Sequence, residues 1–371
     1  MKGKPLYERI YLEILNDIRS GKYETGVRLP SEKELCGIYN VSRITGKKAM
    51  DMLAERNIII RMPGKGSFVN DSWEQAAESL PQETKTDSPV IGVIMDGFGG
   101  SYGYKLILGI EKTCRELGYY MVLHCTNGSR TEESRAVDRM LSLGAQGIII
   151  MCVHGENFNS TVLKLAVEEY PIVLLDRRLK GVPVSYVGTD NQKAARELTD
   201  WLLDRGHRNI CFASHCGVDT PTIADRHLGF LDSHLEHGLT TNESMWLTDL
   251  KATLPSHRTE ESLREDYDKV KAFIGSHPDI TAFFAVEYDI ARIIRSSLVQ
   301  LGVEEKYTIV CFDGYDNITG EEDFTHISQD EIAMGQTSVF LVRDQLNGDR
   351  NIEPVLIPYK IIPAGNSEPG I

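Results

Sequence analysis

The sequence predicts a mixed α/β chain: a small helical head closed by a hairpin, a short linker, and a large body of two lobes. Each lobe is expected to be a parallel sheet flanked by helices. Three observations predict this. Residues 29–69 hold two helix-capping signatures followed by a glycine-rich hairpin signal. From Val90 onward, strand-like runs alternate with helix-like segments, the pattern of parallel strands joined by crossover helices. Charge is also divided: residues 1–70 hold 13 Lys+Arg against 8 Asp+Glu, a net +5, so with −14 for all 371 residues the remainder carries −19.

In the head, residues 5–21 set Ile10, Ile14, Leu15 and Ile18 on one face, making a first helix that packs beneath the others. Gly21 ends it, and residues 23–26 turn the chain. Ser31 with Glu34 is a capping box, so a second helix starts there, carries Leu35 and Ile38, and stops near Asn40. Ser42 caps a third helix whose buried face uses Ile44, Ala49, Met52 and Leu53. Two short helices about three residues apart form a helix-turn-helix. After Asn57, residues 58–60 and Phe68-Val69 flank Pro63-Gly64-Lys65-Gly66, a hairpin with a narrow basic tip. Helix, turn, helix and hairpin together read as a winged helix-turn-helix.

Such a motif places the start of its second helix against base edges of duplex DNA. The candidate DNA-binding residues are therefore Ser31, Glu32, Lys33, Ser42, Arg43, Thr45, Lys47, Lys48, Lys65 and Gly66. Arg43 can donate two parallel hydrogen bonds to guanine or grip a phosphate. Lys47 and Lys48, one turn later, suit phosphate, and the glycines at the hairpin tip allow close approach to the backbone or minor groove. The competing reading is a solvated basic face. On Leu29-Pro30-Ser31-Glu32, Leu35, Val41-Ser42-Arg43, Thr45, Ala49, Leu53 and Gly64-Lys65-Gly66-Ser67-Phe68-Val69, the head resembles the GntR family of bacterial transcription regulators. Gly46 departs from it by standing where a β-branched apolar residue is usual, a change that weakens a helix by up to about 1 kcal/mol. Asn57 stands where glycine usually ends the helix, and asparagine tolerates the left-handed conformation.

Domain bounds follow: residues 1–70 for the head, 71–89 for a linker rich in polar residues with two prolines, and 90–371 for the body. Residues 73–80 can be helical within the linker. Body strands are expected at 90–95, 119–124, 147–151, 172–175, 185–187, 210–212, 282–286 and 308–312. Helices are expected at 104–117, 133–143, 158–168, 192–205, 224–237, 261–274, 290–301 and 331–346. That is too much chain for one such sheet, hence two lobes. Ligands of open parallel sheets bind beyond the carboxyl ends of the strands, so facing lobes make a cleft.

Leu175-Asp176-Arg177, Val187-Gly188-Thr189-Asp190-Asn191, Gly206-His207-Arg208-Asn209-Ile210, Arg226-His227-Leu228-Gly229-Phe230, Ala291 and Phe312-Asp313 carry a second resemblance. It is to the sensing domain of the LacI/GalR family, which shares the periplasmic-binding-protein fold. Head and body together resemble the arabinose-repressor type of GntR regulators. The resemblance implies that Asp176, Arg226 and Asp313 contact a sugar effector in the cleft, alongside Arg177. Glu287 and Tyr288 stand where that family has an Asn-Asp pair, which points to an unusual sugar or sugar derivative. Asp96, Phe98 and Tyr102, at the first strand end, are residue types that hydrogen-bond hydroxyls or cover the C–H face of a sugar ring. The effector-binding set is thus Asp96, Phe98, Tyr102, Asp176, Arg177, Arg226, Glu287 and Asp313. Asp176 with Arg177 can alternatively be a structural ion pair, and Phe98 and Tyr102 can be core or lid.

Seven cysteines in apolar contexts, odd in number and without a C-x-x-C, are expected to be reduced core residues. Cys211, His215 and Cys216 lie close together, but no second pair stands at ligand spacing, so neither metal nor cofactor is expected. The N-terminus has no apolar secretion core, and no run is long enough to cross a bilayer. No nucleophile elbow, phosphate loop or zinc-protease motif is present. The expected molecule is a cytoplasmic, homodimeric repressor that reads a palindromic operator and is released by a carbohydrate. An extracytoplasmic solute-binding receptor, or an enzyme acting on a sugar in the cleft, are the alternatives.

Overall fold

The capping box of the head is formed in the structure, a computed structural model that describes residues 6–39, 41–78, 88–99, 101–153, 159–179, 181–215, 220–315 and 321–366. The Ser31 N–H donates to Glu34 Oε2 at 2.6 Å and the Glu34 N–H to Ser31 Oγ at 3.3 Å. The chain forms two compact units, Met1–Thr86 and Asp87–Ile371.

The N-terminal unit contains α1 (Leu6–Arg19), α2 (Glu32–Tyr39), α3 (Arg43–Glu55), β1 (Ile59–Met62), β2 (Gly66–Val69) and α4 (Trp73–Glu78). The apolar stripe of α1 is buried as its spacing predicts, against Leu35, Ala49, Leu53, Ile58 and Val69. Two inward assignments change. Ile38 is 63% exposed, because α2 is too short to bury more than the stripe centred on Leu35. On α3, Ala49 and Leu53 are buried as expected, but Met50 is fully buried and Met52 only partly, so Met50 replaces Met52 on the inward face. The Ile44 side chain, Pro5, Asn40 and residues 79–87 lie outside the described residues. The predicted hairpin is present, with Ile59 paired to Val69 and Met62 to Gly66. Asn57 takes the left-handed conformation (φ 54°) expected of a helix-ending asparagine. The segment before α2 also lies along β2, with the Leu29 N–H bonded to Ser67 O and the Val69 N–H to Val27 O. No sequence signal announced that pairing.

In the C-terminal unit the elements are β3 (Val90–Met95), α5 (Tyr104–Glu116), β4 (Tyr120–Cys125), α6 (Arg130–Ser142), β5 (Gly147–Ile150), α7 (Ser160–Val167), β6 (Ile172–Leu175) and β7 (Ser185–Gly188). They continue with α8 (Asn191–Leu203), β8 (Ile210–His215), α9 (Pro221–Glu236), β9 (Trp246–Leu250), α10 (Glu260–Ser276), β10 (Ala282–Ala285), α11 (Tyr288–Leu301) and β11 (Thr308–Phe312). The last are β12 (Glu321–Glu322), β13 (Thr325–Gln329), α12 (Glu331–Leu346), β14 (Val355–Leu356), β15 (Tyr359–Ile362) and β16 (Gly365–Asn366). Of the predicted α7, residue 158 lies outside the described residues.

Two six-stranded sheets result, ordered β14-β7-β6-β5-β3-β4 and β15-β13-β11-β10-β8-β9. They are the two expected lobes, and the chain crosses between them after β7, after β13 and after β14. One expectation is corrected: the second sheet is mixed, because β15 runs antiparallel to β13. The route explains it. β14 ends lobe 1 running parallel to β7 toward the cleft, so the chain enters lobe 2 from the cleft side and must run away from it. Helix α12 returns to lobe 1 and packs on α5 through two glycines: Gly335 sits against the Leu106 carbonyl, Gly109 against that of Ile332. No helix among the described residues is long and apolar enough to cross a membrane.

Two glycine substitutions should act in opposite directions. A Cβ at Gly46 would stand 3.5 Å from Glu32 O and 3.6 Å from Leu35 Cβ, ordinary contact distances. Gly46→Ala should therefore stabilise the head by about 0.5–1 kcal/mol. Gly335→Ala would force a methyl into the α5 backbone and should destabilise the body by about 1–3 kcal/mol. Urea denaturation of each variant reads both.

Candidate functional site

Strand ends decide where the polar side chains of the body point. In lobe 1, Asp176 follows β6, adopts φ 64°, and donates its N–H to Val187 O of β7 at 2.8 Å. In lobe 2, Asp313 follows β11, adopts φ 65°, and donates its N–H to Ile327 O of β13 at 2.9 Å. β6 and β11 hold the same place in their sheets, so the two aspartates are counterparts across the cleft. A left-handed backbone at a residue with a Cβ costs free energy and persists only where the surroundings hold it. Here it turns each carboxyl out of its sheet.

Both face a cavity of about 400 Å³, and all eight residues of the predicted effector set line it. Their roles within it differ. Asp96 is held by its own lobe: Oδ1 accepts from the Gly128 N–H (2.8 Å) and Thr126 Oγ1 (3.3 Å), and Oδ2 pairs with Arg177 at 2.7 Å. Arg177 also donates to the Cys152 carbonyl at 2.7 Å, and its Nε lies 3.9 Å from Asp176. Asp176 accepts from the Tyr102 hydroxyl at 2.8 Å, which fixes that ring in the wall. Arg226 donates to Asn191 Oδ1 (2.8 Å) and the Val286 carbonyl (2.5 Å), and its guanidinium lies 3.8 Å over the Phe312 ring. Phe98 is half-exposed at the rim. Glu287 stands at the N-cap position of α11 without a side-chain capping bond, and its Oε1 is buried with no hydrogen-bond partner among the described residues.

Sequence reasoning missed part of the wall. Thr253, Pro255 and Arg258, from the loop between β9 and α10, line the cavity, as do Asn127, His215 and Thr222. Thr253 Oγ1 is another buried oxygen without a partner among the described residues. Buried polar atoms are nearly always satisfied, so two orphans in one wall mark where a ligand's polar groups would sit. Tyr288 contributes its ring, while its hydroxyl donates to Asp323 at 2.7 Å. The phenol is therefore not the polar group that its position beside Glu287 suggested. Cys211 is buried in the lobe 2 core, and Cys216 lies outside the described residues.

Burial dominates the electrostatics. It pushes the Asp313 carboxyl up to about 8, against the pull of Arg226 and of the Gln329 amide bonded to it, while Glu331 and Asp176 raise it further. Glu331, at the start of α12, is pushed by burial to about 7 although it accepts from the Gly103 N–H at 2.6 Å. Asp313 is thus largely protonated at neutral pH and can donate a hydrogen bond as well as accept one.

In the N-terminal unit, Ser42 caps α3: its Oγ accepts from the Thr45 N–H at 3.2 Å and lies 2.8 Å from Thr45 Oγ1. The Arg43 side chain is 83% exposed, with Nε 3.9 Å from Glu32. Lys33, Lys47 and Lys65 are exposed. Lys48 stands on the neighbouring face of α3, its ammonium 3.7 Å over the Tyr7 ring. Glu32 meets Arg61 at 3.3 Å, and Arg61 also reaches Asp51 (3.0 Å) and the Lys47 carbonyl (3.4 Å). Arg61, not singled out from the sequence, thereby ties the hairpin to both helices, and Glu32 is an anchor for it. Gly66 leaves room for Arg28, whose Nε would lie 2.9 Å from any Cβ there.

The carboxyl shifts have a measurable consequence. Asp313 and Glu331 bind protons more tightly folded than unfolded, so their contribution to stability is complete below about pH 4. It is lost as pH rises through about 7 for Glu331 and about 8 for Asp313. The melting temperature should fall across that window, and Asp313→Asn, which cannot ionise, should flatten its upper part. Scanning calorimetry of both proteins against pH checks it.

Comparison with known proteins adds identity to this geometry. Residues 6–69 match the bacterial regulatory proteins of the gntR family, and residues 91–349 match the periplasmic binding protein domain. The arabinose metabolism transcriptional repressor of Geobacillus stearothermophilus is 26% identical over 363 residues, 95% of this chain and 94% of that one. The transcription regulator CcpA of Lactococcus lactis aligns with TM-score 0.64 at 16% identity, over 76% of this chain and 100% of its own. A complex of the transcriptional regulator CelR with cellobiose aligns with TM-score 0.63 at 17% identity, over 91% of this chain and 100% of the other. The chain belongs to the periplasmic-binding-protein domain family and carries, as its N-terminal head, the helix-turn-helix domain of the gntR family of bacterial transcription regulators.

Proposed function

We propose that this protein is a sugar-responsive transcription repressor of the cytoplasm, acting as a homodimer on a palindromic operator and released by a carbohydrate bound in the cleft. The observation that carries the reading is the convergence of Asp176, Arg177, Arg226, Glu287 and Asp313 on one 400 Å³ cavity in a chain with a gntR-type head. Carboxyls and guanidinium groups give the paired hydrogen bonds that sugar hydroxyls need, and Phe98, Tyr102 and Tyr288 give aromatic surface for C–H faces. The relatives support a binding role over catalysis, since they are regulators.

Arg43, Lys47, Lys65 and the N-terminus of α2 are the proposed contacts to duplex DNA. Arg43 is the proposed base reader, because it opens α3 and its side chain is largely exposed. Lys33 and Lys47 answer to phosphate, and Lys48 only at the margin. Ser31, Ser42 and Thr45 set the helix starts, with hydroxyls that retain hydrogen-bonding capacity. Glu32 positions Arg61 and Arg43. Ligand in the cleft favours one lobe arrangement over another, and a dimer in that arrangement no longer matches the half-site spacing.

Arg43→Ala should weaken specific operator binding by about tenfold or more while leaving sugar binding unchanged. Asp176→Asn should do the reverse, keeping the DNA complex but abolishing its release by sugar. Fluorescence anisotropy of labelled operator, with and without sugar, measures both. Operator affinity in Arg43→Ala equal to that of the parent would remove α3 from the role of reader.

A further inference from the structure

The ligand cavity does not end at its own wall. A second cavity of about 610 Å³ adjoins it, and the two share Gly99, Ser101, Thr253, Arg258 and Asp289. It lies at the starts of α10 and α11, where Tyr267, Arg292, Ser296 and Tyr315 line it and the inner cavity does not reach. Between the two stands an ion pair, Arg258 to Asp289 at 2.6 Å, contributed by lobe 2 alone. Thr253 Oγ1, buried and without a partner among the described residues, sits at the same junction.

The aromatic surface is continuous across that junction. Tyr288 lines the inner cavity and Tyr315 the outer one, with ring centroids 6.4 Å apart and planes inclined by 33°. Two tyrosine rings in sequence, edged by the charged pair and by Arg292, offer in the outer chamber what the inner one offers: a face for C–H groups and a rim for hydroxyls. A single sugar ring in the inner cavity would leave the outer chamber and the junction hydroxyl of Thr253 unused.

We propose that the effector is a disaccharide: its first ring lies between Asp176 and Asp313, its glycosidic link passes Thr253, and its second ring occupies the outer chamber against Tyr315. This rests on the sugar-binding reading above and specifies its ligand. Tyr315 and Ser296 then determine ligand length without touching the inner ring. Ser296, partly buried on α11 one turn beyond Arg292, borders the outer chamber only, so the indole of Ser296→Trp would obstruct it.

The test is isothermal calorimetry on the full chain with two matched arms. One arm holds glucose, galactose and arabinose; the other holds cellobiose, maltose, lactose and melibiose. At least one disaccharide should bind about tenfold or more tighter than its component monosaccharides. Ser296→Trp should erase that advantage while leaving the monosaccharide affinity as it was, and Tyr315→Ala should reduce it in the same direction. Monosaccharides binding as tightly as every disaccharide would overturn the two-ring ligand and leave the sugar reading standing. A disaccharide advantage that survives Ser296→Trp would place the second ring elsewhere and overturn the outer chamber. No binding in either arm would remove the sugar reading and this proposal together.

Discussion

The cavity of the body depends on carboxyl groups held out of water at the ends of strands: Asp96, Asp176 and Asp313 are all buried. A buried carboxylate is costly unless it is paired, hydrogen-bonded or protonated. The cleft uses all three. Asp96 is paired with Arg177 and bonded to the 126–128 turn. Asp176 is bonded by the Tyr102 hydroxyl, and Asp313 keeps its proton to about pH 8. Glu287 has one oxygen without a partner among the described residues, which a ligand donor would meet. On the proposed reading, a polyhydroxylated guest would supply the donors this wall lacks.

The symmetry of the two lobes turns this local device into a two-sided one. Asp176 and Asp313 sit at equivalent strand ends with almost the same left-handed backbone, each tied by its N–H to the neighbouring strand. The arginines follow a looser version of the same rule: Arg177 donates to the Cys152 carbonyl, just past β5, and Arg226 to that of Val286, just past β10. A guest touching both aspartates therefore touches both lobes. That is how occupancy of a small cavity can bias the arrangement of two large bodies.

Much of this was legible in the sequence, for physical reasons. Capping boxes act over three residues and strand runs over five, so α2, α3, β3, β6 and β11 could be placed from local pattern alone. Asp176 and Asp313 stand out through the Leu175-Asp176-Arg177 and Phe312-Asp313 motifs that carry the resemblance to the LacI/GalR sensing domain. What stayed hidden depends on long-range routing. β9, β13, β14 and β15 are short or carry polar residues, and their places follow from three crossings between lobes that no local periodicity encodes. Arg61 looked like one more basic residue in a hairpin until its contacts with Glu32, Asp51 and the Lys47 carbonyl were in view. Thr253, Pro255 and Arg258 lie in a loop with no motif and reach the cavity only through the fold. Tyr288 stands where the resembling family has a polar residue, yet its hydroxyl is already engaged by Asp323.

The most direct test of the central claim is a crystal structure of the chain grown with a sugar that raises its melting temperature. The account predicts sugar oxygens within hydrogen-bonding distance of both Asp176 and Asp313, with Glu287 Oε1 gaining a partner. A sugar bound elsewhere, with those carboxyls unchanged, would contradict it.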